Sequence, residues 1–204
     1  MSQPITDRHC LSIIGGIVQT LIQEGFSVTL THRKHINGMY AGSFSSHKKE
    51  FKVAMGDGMN SVAAFIHEYG HFRQWKAWTP GRWDDISVNG LDVYFDWATG
   101  GKCGYRALNK AVSKVLELEH DCEIRAMEFI RCYNLPIKLP EYARRANAYL
   151  MLYACKIQGV LDDKHISIAE LADSMPDQLM ELSQFKNAAC IKEFKVRVKK
   201  MQKR

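Results

Sequence analysis

Asn60-Ser61-Val62-Ala63-Ala64-Phe65-Ile66-His67-Glu68-Tyr69-Gly70-His71-Phe72-Arg73-Gln74-Trp75 has the periodicity of a helix. Val62, Phe65, Ile66, Tyr69 and Phe72 recur at three- and four-residue steps, and Asn60 or Ser61 can cap the N-terminus. Inside the stretch, His67-Glu68-Tyr69-Gly70-His71 reads HExxH. Positions four apart share a helix face, so both imidazoles reach one metal ion, and Glu68 sits close enough to take a proton from a water beside it. An amphipathic core helix with two incidental histidines would give the same periodicity; the glutamate between them is what points to chemistry.

Working outward, Gly56-Asp57-Gly58 closes a candidate strand, Glu50 to Met55, on the N-terminal side. Phe26 to His32 alternates as a strand should, and Met39 to Ser45 is a second candidate. Asp7 to Glu24 is an amphipathic helix stopped by Gly25. On the C-terminal side, Thr79 to Gly104 is rich in Gly, Asp and Trp and predicts a long functional loop with a short strand around Val93-Tyr94-Phe95. A long helix from about Tyr105 to Tyr133 follows, then a break at Leu135-Pro136, a helix from Glu141 to Gln158, and short helices. The fold class expected is α+β, with a small antiparallel or mixed sheet of about three strands.

A catalytic zinc site needs a third protein ligand. The long helix offers Leu116-Glu117-Leu118-Glu119-His120-Asp121-Cys122-Glu123-Ile124-Arg125-Ala126. Glu119 and Glu123 share a face, with Cys122 beside them and Ala126 one turn on. Glu119 as ligand and Glu123 as the group that orients a zinc-bound histidine fill both roles. Glu117 with Asp121 has the same spacing and competes, and a solvated acidic face with Lys114 and Arg125 would need no metal.

HExxH followed by a helix carrying Glu-x-x-small-acid resembles the gluzincin metallopeptidases. The ImmA/IrrE-like and CAAX-prenyl-protease-like families have Glu, two residues, Ala, then Asp or Asn; Glu119-His120-Asp121-Cys122-Glu123 is similar, with Cys for Ala and Glu for Asp. Gly70 matches their habit of placing Gly in HExGH. The resemblance implies a zincin-like fold, Zn2+ held by His67, His71 and Glu119, and Glu68 as general base of a zinc metalloendopeptidase. It covers about a quarter of the chain, the two metal helices. The small size also resembles uncharacterised metallopeptidases encoded by bacteriophages. In the SprT-like type the third ligand is His, and His120 is the candidate here; it points about 100° from Glu119 on the helix. That rival would be a protease acting near nucleic acid. A second class of function is a non-catalytic binding or virion-structural protein with a vestigial HExxH.

The expected domains are 1–158, the zincin-like metallopeptidase, and 159–204, a helical extension with a basic tail. The net charge of +6 lies in residues 191–204, where Lys192, Lys195, Arg197, Lys199, Lys200, Lys203 and Arg204 oppose Glu193, so the other 190 residues are formally neutral. The tail is therefore a candidate contact for a polyanion or nucleic acid. The six cysteines, Cys10, Cys103, Cys122, Cys132, Cys155 and Cys190, include no CxxC pair and read as reduced thiols. No apolar run reaches membrane-spanning length, and the N-terminus lacks a signal peptide, so the expected location is cytoplasmic, the host cytoplasm for a phage protein. The expected substrate is a protein or peptide. Its oxyanion would be stabilised from Tyr142, Arg144, Arg145 or Tyr149, and the Glu50–Met55 strand would pair with its extended backbone.

Overall fold

The computed structural model describes residues 7–36, 41–156 and 168–201. The start of the second predicted strand (Met39, Tyr40), the expected boundary at 158, and Lys203 and Arg204 lie outside them. The chain is α+β, mainly helical, with one three-stranded mixed sheet. It divides into two compact units: Met1–Ala77 with Arg125–Ile137, and Trp78–Ile124 with Lys138–Arg204.

In the first unit, helix α1 (Arg8–Gln23) begins where the Asp7 carboxylate accepts the Cys10 N–H at 2.9 Å. It buries Cys10, Ile14, Ile17 and Leu21 on one stripe. Gly25, at φ +82°, turns the chain into strand β1 (Ser27–Thr31). Strands β2 (Gly42–Ser45) and β3 (Glu50–Ala54) complete the sheet in the order β1-β3-β2. β1 runs parallel to β3, and β2 antiparallel to it. β3 is thus the central strand, with both edges already paired. The expectation that Glu50–Met55 pairs with a substrate is corrected by this order; β2 is an edge strand.

Helix α2 (Met59–Ala77) carries the HExxH stretch. It starts one or two residues before the expected caps. The Ser61 hydroxyl instead accepts the Asp57 N–H at 2.9 Å and tightens the preceding turn. Burial of Val62, Phe65, Ile66, Gly70, Phe72 and Gln74 leaves α2 little solvated face, as suits a central helix. Phe65 meets Phe51 of β3 edge-on at 5.1 Å, and Phe72 meets Phe26 at 5.6 Å.

The C-terminal end of helix α5 (Tyr105–Cys132) completes this unit. Tyr69 packs edge-on to Phe129 with ring centroids 5.3 Å apart, and Arg73 Nη1 donates to the Arg125 carbonyl at 3.3 Å.

In the second unit, residues 80–98 are helical: α3 (Pro80–Ile86), a π-helical turn (Ser87–Asp92) and α4 (Val93–Ala98). This corrects the expected loop and the strand at Val93–Phe95. The Thr79 hydroxyl caps the run by accepting the Arg82 N–H, and Pro80 stands at its first turn. Trp83, Ile86, Gly90 and Tyr94 form its buried stripe. A Cβ on Gly90 would stand 3.0 Å from Lys114 Cβ, so the glycine permits close approach to α5.

Helix α6 (Leu139–Lys156) follows, with two short helices, α7 (Ile168–Ala172) and α8 (Leu182–Phe185), and then α9 (Ala188–Met201). Their core joins Leu108, Val112 and Val115 of α5 to Leu150, Phe185 and Phe194. Asn147, fully buried on α6, donates to the Pro176 and Gln178 carbonyls at 3.0 and 2.8 Å and accepts the Met180 N–H at 2.9 Å. That one amide fixes the path of the segment leading into α8.

None of the six cysteines is in a disulfide; Cys10, Cys122 and Cys155 are buried. Burial pushes the Cys155 thiol up to about 11, which suits an inert packing group. Among the described residues, no helix is long and apolar enough to cross a membrane.

Candidate metal centre

The four-residue spacing on α2 puts His67 and His71 on one face a turn apart, with ring centroids 4.8 Å apart and planes at 87°. His71 is buried and His67 half-buried. His71 Nδ1 lies 2.9 Å from Gln74 Oε1, and Gln74 is fully buried. An amide oxygen only accepts, so Nδ1 is the donor, and in the neutral imidazole this leaves the Nε2 lone pair for a metal. This is how a neighbour prepares an imidazole to hold a metal. Gln74 was not among the expected site residues, because its role shows only in the imidazole it faces.

Glu68 is buried at 8 % exposure. A Cβ on Gly42 of β2 would stand 2.5 Å from Glu68 Cγ and 2.8 Å from its Oε1, so any larger residue there would collide with the carboxylate side chain. Gly42 lets the edge strand lie directly against Glu68.

On α5, Glu119 and Glu123 are each 4 % exposed and Cys122 is fully buried. These three form the inward stripe expected from their spacing. Tyr142 Oη donates to Glu123 Oε2 at 2.6 Å. One candidate for oxyanion stabilisation is therefore engaged with the residue expected to orient a ligand. Tyr149 shares a hydrogen bond of 2.6 Å with Tyr153. Glu117 is a surface residue in an ion pair with Arg82, Nη2 to Oε1 2.7 Å, which accounts for its charge without a metal. His120 Nε2 sits 2.8 Å from the Met180 carbonyl, and its ring centroid lies 6.0 Å from that of Phe185. Its proton is thus committed to a backbone acceptor.

Among the described residues, the side chains that offer ligand atoms to a metal ion are the imidazoles of His67 and His71 on α2 and the thiol of Cys122 on α5. Cys122 occupies the small position of the Glu-x-x-small-acid pattern, where the sequence reading gave it only a packing role. Two imidazoles and a thiol suit a borderline-soft ion such as zinc, and the tautomer set by Gln74 fits the same ion.

Loss of the Gln74 acceptor should weaken metal binding without destroying the site. Gln74→Leu is expected to lower zinc affinity about 10- to 100-fold, read by competition with a chromogenic chelator. Unchanged affinity would show that the His71 tautomer is fixed by something else.

The chain matches no family model, no curated protein and no solved structure.

Proposed function

We propose that the protein is a zinc-dependent metallopeptidase of zincin-like architecture, hydrolysing peptide bonds in a protein or peptide substrate. The observation that carries this reading is the arrangement on α2. Gln74 Oε1 accepts from His71 Nδ1, His67 stands one turn before His71 with its ring edge-on, and the buried Glu68 side chain lies against Gly42 of an edge strand. When bound, zinc polarises a scissile carbonyl and makes a water acidic enough to be deprotonated near neutral pH.

The chain's own residues supply the rest. His67 and His71 hold the ion, with Glu119 of α5 as third ligand and Cys122 as its competitor. Glu68 takes the proton of the attacking water and returns it to the leaving amine. Tyr142 fixes the Glu123 carboxylate. β2 pairs with β3 on one side, and among the described residues no strand covers its other edge. An extended substrate backbone adding to that edge would lie beside the strand that Glu68 packs against at Gly42.

The non-catalytic alternative gives no reason for a buried glutamate, a dedicated Gln acceptor and a glycine cleared for the glutamate to occur together. The SprT-like alternative needs His120 at the metal, and its hydrogen bond to Met180 argues for another role. A cytoplasmic setting is consistent with six cysteines outside any disulfide.

Protein purified without chelator should contain close to one zinc per chain by elemental analysis. Dialysis against a chelator should remove zinc and cleavage of a denatured protein substrate together, and added zinc should restore both. Substoichiometric metal with no cleavage would favour the non-catalytic reading.

A further inference from the structure

The basic residues at the C-terminal end take no part in the metal centre, and their placement has its own logic. α9 buries Ile191, Phe194 and Val198 along one side, in the core of the second unit. The helix is thereby fixed, with Lys192, Lys199 and Lys200 fully on its outer surface. None of these three forms an ion pair among the described residues. Arg197, also exposed, donates to the Ser174 carbonyl. Val196, 49 % exposed, lies among the lysines, and Glu193 is the only acid of the helix.

We propose that this outer face of α9 binds the phosphate backbone of a nucleic acid, without sequence specificity. Three observations favour that occupant. First, the positive charge is concentrated: the whole formal +6 of the chain resides in residues 191–204, and the other 190 residues add no net charge. Second, Lys192 and Lys199 are seven residues apart, about 10 Å along the axis, whereas duplex DNA presents a charge about every 1.7 Å. A short row of lysines therefore meets phosphates in any register. Third, a membrane surface would call for an apolar face to insert, and the apolar face of α9 is already buried. The proposal does not depend on the metal or on peptidase activity.

The full chain, titrated into a fluorescently labelled 20-base-pair duplex of mixed sequence, should raise its anisotropy. With three or four phosphates neutralised, affinity should fall roughly 40- to 150-fold between 50 and 200 mM salt. Lys192→Gln/Lys199→Gln/Lys200→Gln should abolish most of this dependence, with an unchanged circular dichroism spectrum and melting temperature. Glu193→Gln should tighten binding. Binding that is insensitive to salt, or unchanged in the triple variant, would overturn the proposal. So would equal binding to poly-glutamate, or binding to vesicles rich in phosphatidylserine with none to the duplex.

Discussion

Glu68→Gln is expected to cut hydrolysis about 10²- to 10⁴-fold while zinc content and fold stay as in the wild type. The substitution keeps the shape of the side chain, which matters because Gly42 leaves room for this side chain and little more. It keeps both imidazoles and the Gln74 contact that orients His71. What it removes is a group able to accept a proton, since an amide oxygen is far too weak a base. Cleavage rate, zinc per chain and circular dichroism, measured on the same preparation, check the three parts of the expectation. Undiminished cleavage in Glu68→Gln would refute the mechanism, whatever the metal content.

The residues that make this test possible were readable at different depths. Local periodicity was enough for α1, α2, α5 and the three strands, because each alternates or repeats strongly within its own length. Sheet order was not readable, because nothing in Glu50–Ala54 says that β1 and β2 will flank it. Pairing is decided by contacts distant in sequence, and so the strand chosen for substrate was the wrong one. The segment 79–98 failed for a different reason. Its glycines and aspartates look like loop residues, yet Thr79-Pro80 is a helix start, and Trp83, Ile86, Gly90 and Tyr94 are a helical stripe whose last step runs through a π turn. At the candidate site, the HExxH spacing was legible. Gln74 and Gly42 were not, because an orienting amide and a cleared glycine acquire meaning only from what they face.

The third ligand gives the second large effect. Glu119 and Cys122 stand one turn apart on α5, both buried, and each is a residue type that zinc accepts as a ligand. A carboxylate taken out of water keeps its charge only when it is paired or bound to a metal. A thiol in the same surroundings is stable as a small neutral side chain. Glu119→Ala should therefore lose zinc affinity by well over the roughly 100-fold that marks the loss of an orienting residue. Glu123→Ala should stay within that range, since Glu123 is held by Tyr142, and Cys122→Ala should retain zinc. His120→Ala and Glu117→Ala should leave affinity unchanged, given their bonds to Met180 and Arg82. Cobalt substitution separates the two leading candidates without relying on activity. A carboxylate ligand predicts a wild-type spectrum free of the intense near-ultraviolet band that thiolate gives with cobalt. If that band is present and vanishes in Cys122→Ala, together with stoichiometric zinc, the ligand is Cys122. The Glu-x-x-Cys-Glu segment would then differ from the gluzincin pattern in its ligand as well as in its sequence.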